Sequence, residues 1–211
     1  MRLQTCLKAG ACFAIALVLI LAAWSPAARG RSLSTDRGVI QGTVTGMKGK
    51  SVVYVEAIPG KTFQAPAKHA VVDQKELIFI PHILAIQQGT TVDFLNSDNV
   101  QHNVFWPSID SDKKLAHNLG TWTKGKRRSF KFDTSGTVKL LCDVHLEMSA
   151  FIIVSPTPYF AVTDESGEFK IKDVPDSNYQ VTVWHEGANR KSQQVQVTSG
   201  DARADFEIER Q

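Results

Sequence analysis

What most constrains this chain is a succession of short apolar runs, each too brief for a helix and most closed by Gly, Pro, Asn or Asp. Val39–Thr45, Ser51–Ala57, Ile78–Ile80, Ile83–Gln87, Thr91–Leu95 and Asn103–Trp106 come first. Arg128–Phe132, Thr137–Leu141, Ala150–Val154 and Tyr159–Thr163 follow, then Glu168–Ile171, Tyr179–Trp184, Gln193–Val197 and Asp205–Ile208. These runs are rich in β-branched and aromatic residues. Several alternate with the two-residue period of a half-buried strand, as in Ser129-Phe130-Lys131-Phe132. No window carries the 3.6-residue apolar period of an amphipathic helix. The pattern predicts an all-β protein built of sandwiches. Turns are expected at Asp164–Gly167 and Pro175–Asn178, with Asn178 as the residue suited to a left-handed backbone.

The first segment bears on compartment. Arg2 and Lys8 precede an apolar run from Ala9 to Trp24, and Ser25-Pro26-Ala27-Ala28 follows. A basic start, a short apolar stretch and small residues before a cut describe a signal peptide over residues 1–27. The run is shorter than the ~20 residues a membrane span needs, which weighs against the alternative of a retained anchor. Export to a periplasm or beyond follows, with no membrane span in the mature chain. The formal charge is +3, and losing Arg2 and Lys8 leaves +1 (3 − 2), too little to argue for nucleic acid. Cys6 and Cys12 leave with the same segment, so of three cysteines only Cys142 remains. In a compartment that oxidises thiols, a lone cysteine calls for an explanation other than an intramolecular disulfide, and a metal thiolate is the leading one.

That cysteine opens the decisive motif, Cys142-Asp143-Val144-His145-Leu146-Glu147-Met148, between the runs Thr137–Leu141 and Ala150–Val154. Upstream, His102 stands where one strand run ends and another begins. A thiolate, two imidazoles and a thioether make the ligand set of a blue-copper site: His102, Cys142, His145 and axial Met148. Asn103, beside the first of these, is positioned to hydrogen-bond between the two loops and fix them. The bland alternative is a buried cysteine near an ordinary loop histidine. A structural zinc would prefer four strong ligands, which Met148 is not, and a binuclear copper site would need a second cysteine on the loop. Glu147 as an axial oxygen ligand is weighed against its facing solvent. His69, His82, His117 (in the polar loop Ser108–Leu119) and His185 have no ligand-like partner at fixed spacing and read as structural or solvated.

The segments DQKELIFIPHILAIQQGTTVDFLNSDNVQHNVFWP and FKFDTSGTVKLLCDVHLEMSAFIIV resemble the plastocyanin/amicyanin group of cupredoxins, over residues 70–154. The Cys-x2-His-x2-Met spacing is similar to amicyanin. The resemblance implies a Greek-key sandwich, one type 1 copper, and electron exchange with a protein partner, a cytochrome or dehydrogenase, through the partly exposed edge of His145. The stretch PYFAVTDESGEFKIKDVPDSNYQVTVWHEG resembles the carboxypeptidase regulatory-like, transthyretin-like β-sandwich module. The two strands that usually open that module are found instead at Gly38–Thr45 and Ser51–Ala57. This implies a module split into residues 38–63 and 156–210, with the cupredoxin domain inserted. The rival arrangement gives the early strands to the cupredoxin.

An electron carrier rather than an enzyme is therefore expected, since copper oxidases need further paired histidines. Copper storage or delivery is the alternative, although Met-rich and His-rich tracts are missing. Glycan or protein binding by the second sandwich is another. Lys124-Gly125-Lys126-Arg127-Arg128 reads as a solvated edge that discourages strand pairing, or as a patch steering an acidic partner. Trp106, Pro107 and Trp122 form either an apolar collar at the copper loops or part of the core.

Overall fold

The computed structural model describes residues 37–211, and the expected signal peptide lies outside them. The first strands are β1 (Arg37–Thr45), β2 (Ser51–Val55), β3 (Ala70–Lys75), β4 (Ile78–Ile80), β5 (Ile83–Gln87) and β6 (Thr91–Asn96). Next come β7 (His102–Trp106), β8 (His117–Trp122), β9 (Arg127–Lys131), β10 (Gly136–Leu141) and β11 (Ser149–Ser155). The chain closes with β12 (Phe160–Val162), β13 (Glu168–Pro175), β14 (Ser177–His185), β15 (Lys191–Val197), β16 (Asp201–Arg203) and β17 (Phe206–Glu207). Among the described residues no helix is long and apolar enough to cross a membrane.

These strands make four sheets. One has the order β5-β11-β10-β7-β8 and a second β4-β3-β6-β9. Their facing sides bury Val72, Phe94, Val104, Trp106, Leu140 and Ile152, a Greek-key cupredoxin-like sandwich. A third sheet runs β12-β2-β14-β15, and a fourth β13-β1-β16 with β17 also on β1. Between these two lie Ile40, Val53, Ile171, Val181, Val195 and Phe206. Strands β1 and β2 thus pair with β12, β13, β14, β16 and β17, β15 joins through β14, and β3 to β11 pair among themselves.

A third cluster joins the two pairs of sheets: Val52, Tyr54, Phe151, Ile153 and Trp184, with Ile83, Ala85 and Phe160 against them. Alternation along two strands explains it. On β2, Val53 and Val55 face one core while Val52 and Tyr54 face the seam. On β11, Ile152 and Val154 face the core of the first sandwich while Phe151 and Ile153 face the seam. Strands buried on both faces need continuous apolar runs, and SVVYV and AFIIV supply them. Arg190 also crosses the seam, pairing with Asp110 and donating from Nη2 to Thr137 Oγ1 at 2.6 Å.

Three local expectations are corrected. The left-handed residue before the last long hairpin is Asp173 (φ 58), at a register shift of β13 against β1, whereas Asn178 pairs with Gln196 inside β14. The segment Ser108–Leu119 is no plain loop: it holds a short 3-10 turn, Lys113–Leu115, and the start of β8. The Trp106 indole organises it, donating to Leu115 O at 3.0 Å and lying 5.3 Å from the His117 ring. Strand β3 falls outside the expected runs, because its inward positions are Val72 and the polar Gln74. Gln74 Nε2 donates to Leu95 O at 2.8 Å, while its buried Oε1 has no partner among the described residues.

Candidate metal centre

Three elements converge at one end of the first sandwich. Strand β7 opens with His102, whose backbone pairs with Trp122 of β8. The turn before it is held by Asn96, whose amide donates to Val100 O and Trp122 O, both at 2.9 Å. Strand β10 ends at Leu141, and Cys142 begins a loop that returns at Ser149, where the Leu141–Ser149 pair closes it. Within this loop Met148 N donates to His145 O at 3.0 Å, forming its single tight turn.

His102, Cys142 and His145 stand together, with one ligand atom from each lying within 4.8 Å of the others. His102 is wholly buried, Cys142 is buried as a free thiol, and His145 is partly exposed. Met148 ends the same loop, buried in the core cluster that also contains Cys142. Glu147 is exposed. Asn103 spans the two loops: its N–H approaches Cys142 Sγ at 3.4 Å, its Oδ1 accepts from Asp143 N at 3.4 Å, and its Nδ2 donates to Asn118 Oδ1 at 2.8 Å.

The donor chemistry fits a soft metal ion. His102 Nε2 lies 2.8 Å from Asp98 Oδ2, an acceptor, so that nitrogen carries the proton and Nδ1 is left as a lone pair. His102 Nδ1 faces His145 Nδ1 at 3.1 Å. Two imidazole nitrogens so close repel unless a proton or cation lies between them. A sulfur receiving an N–H bond completes a set suited to copper.

Asp98 does more than orient a ring. Burial alone would raise its carboxyl, but N–H bonds from Leu77 (3.0 Å) and Glu76 (2.7 Å) and the His102 contact outweigh that and hold it below the usual carboxylate range. Glu76 and Leu77 are both left-handed (φ 57 and 61), which turns their N–H groups onto the carboxylate. This residue was not singled out from sequence. Its signal was a carboxylate four positions before a candidate ligand, inside a stretch that reads as an ordinary turn.

Of the other histidines, His69 contacts Asp93 at 3.1 Å and both ring nitrogens of buried His185 face backbone carbonyls. His82 bridges Ser149 O and Glu186. Trp106 and Trp122 are buried in the core. The basic turn lies beside the His102 loop, with Lys124 Nζ donating to Asn99 Oδ1 at 2.9 Å and Gly125 N to Asn96 O at 2.8 Å. Strand β9, which follows it, is a sheet edge.

Fold and site together define a cupredoxin-type copper-protein architecture. Residues 66–155 match the family of copper binding proteins of the plastocyanin/azurin type. A plastocyanin from Scenedesmus fuscus is 32% identical over 78 residues, which span 35% of this chain and 80% of that protein. The chain belongs to the plastocyanin/azurin family of copper binding proteins. Among solved structures, a reduced amicyanin mutant is similar at 23% identity and a TM-score of 0.39, over 44% of this chain and 87% of its own. A purple cupredoxin from Nitrosopumilus maritimus is similar at 24% identity and 0.37, over 41% and 99%. Residues 135–204 match domain II of polysaccharide lyase family 4.

Proposed function

We propose that the protein is an exported single-electron carrier in which His102, Cys142, His145 and Met148 hold one type 1 copper. The observation that carries this reading is the pair of Nδ1 atoms facing each other at 3.1 Å beside a buried thiol. Copper bound there supplies a one-electron couple between two oxidation states that the same soft donor set tolerates. Asp98 and Asn103 keep His102 and Cys142 in place, so the protein has little to rearrange. His145 presents its partly exposed edge, and Val100, Val144 and Leu146, the last 84% exposed, give that end an apolar surface able to exclude water from a docked partner. Nothing in the donor set calls for a bound substrate, and the reading is of a carrier, not an enzyme.

The partner is read as a protein, a cytochrome or dehydrogenase, with an acidic face, because Lys124, Lys126, Arg127 and Arg128 flank the His102 loop. The domain reading is that the copper-binding sandwich, residues 70–154, is inserted into a regulatory-like module of residues 38–63 and 156–210. The pairing of β1 and β2 with β12, β13, β14, β16 and β17 supports it.

The test is a spectrum with a metal count. Copper-loaded, oxidised protein should show an intense visible thiolate-to-copper band. Cys142→Ser should abolish it while His117→Ala leaves it intact. Stoichiometric copper with no such band, or a Cys142→Ser protein of unchanged colour, overturns the reading.

A further inference from the structure

The end of β14 reaches across the seam to the chain just past Met148. Glu186 Oε2 accepts from His82 Nε2 at 2.7 Å, and His82 Nδ1 donates to Ser149 O at 3.1 Å. The His82 carbonyl in turn accepts the Phe151 N–H at 2.8 Å. His82 therefore grips the start of β11 by both backbone and side chain, and Ser149 immediately follows Met148. An aromatic contact runs alongside. The His82 ring meets Phe151 edge-on at 5.9 Å, and Phe151 lies 5.1 Å from Trp184 of β14.

The other candidate ligands differ from Met148 in how they are held. A histidine has a second ring nitrogen by which it can be oriented, and His102 uses it on Asp98. Cys142 is met by the Asn103 N–H. A thioether has one weakly accepting atom and no donor, so nothing polar is left over to fix it. Its position must come from packing and from the backbone on either side. On the side leading back into β11, that backbone is tied to the second pair of sheets through His82.

We propose that Glu186 and His82 are positioning residues through which the second sandwich holds the Met148 end of the copper loop. The proposal rests on the reading of Met148 as the axial ligand. It gives the second module a part in the redox site from which its own strands are separated by a whole sheet.

The experiment uses the full chain loaded with copper and reduced. It measures how fast excess bathocuproine disulfonate, a Cu(I) chelator, removes the metal. The Met148 methyl resonance is followed by carbon-13 labelling, with and without copper. Glu186→Ala should speed removal roughly threefold, as befits a partly exposed charged bond. His82→Ala should speed it about tenfold, and the double variant should match His82→Ala alone, because one route carries both effects. Glu186→Gln, which keeps an acceptor, should recover most of the wild-type rate, separating the bond from any loss of folding. The Met148 methyl should move in the Glu186→Ala and His82→Ala proteins. Unchanged removal rates with an unmoved methyl, or additive effects in the double variant, overturn the brace in a protein whose visible band is intact. Copper-loaded wild type without that band overturns the site reading and the brace together.

Discussion

The two sandwiches close their loops by different means. In the second, the turn carboxylates lie at the surface, where Asp164 holds its own turn and Asp176 and Asp205 also reach a neighbouring segment. Asp164 accepts from the N–H groups of Ser166 and Glu168 and from the Ser166 hydroxyl, Asp176 from Ser199, and Asp205 from Thr43 N and Arg203. All are exposed. In the first, the loops at one end bury or half-bury their polar groups: Asn96, Asp98 and Asn103 each tie separate segments, and Asp98 also holds His102. Burying polar groups costs stability unless every bond is made. A protein keeps such a network where geometry must be fixed to fractions of an ångström. Exposed turn carboxylates mark the scaffold, and buried or half-buried loop-to-loop bonds mark the site.

The sharpest way to break this contrast is at Asp98. In Asp98→Asn the amide oxygen can accept from His102 and Leu77, but its NH2 then meets the N–H of Glu76, donor against donor. Copper affinity should fall about tenfold or more, measured by competition with a chelator, while the thermal midpoint moves far less. An unaltered affinity would make the network a packing feature only.

Tyr179 offers the matching test in the second sandwich. Its hydroxyl donates to Pro175 O at 2.8 Å beneath the hairpin. Tyr179→Phe should cost about 1 kcal/mol in denaturant unfolding with the visible spectrum unchanged. A shifted spectrum would mean that this core reaches the metal site more broadly than through His82.

The smallest effect concerns acid. Asp93, on β6, is held below the usual carboxylate range by the Ser129 hydroxyl bond, with burial opposing and His69 and Arg127 adding to the lowering. A lowered folded value means that the stabilisation is present above about pH 4, the ordinary range, and is lost as pH falls through the lowered value. Asp93→Asn should therefore flatten the acid limb of a stability-versus-pH curve, read by urea unfolding. An identical limb would assign it to other carboxylates.

Much of the molecule was legible in the sequence because its signals are local. Three of the four candidate ligands share one seven-residue run, and strands such as β2 and β11 announce double burial by unbroken apolar stretches. What stayed hidden depends on partners far along the chain. Gln74 puts a polar residue at an inward position of β3, and the partner of its amide N–H, Leu95 O, lies on a neighbouring strand. Strand β8, of sequence HNLGTW, is exposed except at Leu119 and Trp122, so hydrophobicity gives it little pattern. Its place follows from pairing with β7. The role of Asp98 needed the turn at Glu76 and Leu77, and the seam needed Trp184 to be seen against Phe151.

Because β2 and β11 each line two cores, the modules cannot be traded like beads on a string. Severing the chain between them would leave each half with a naked apolar sheet, bearing Phe151 and Ile153 on one side and Tyr54 and Trp184 on the other. Anyone borrowing the copper half for an electrode or a fusion must therefore carry its companion along, or redesign the exposed strands as a new water-facing surface.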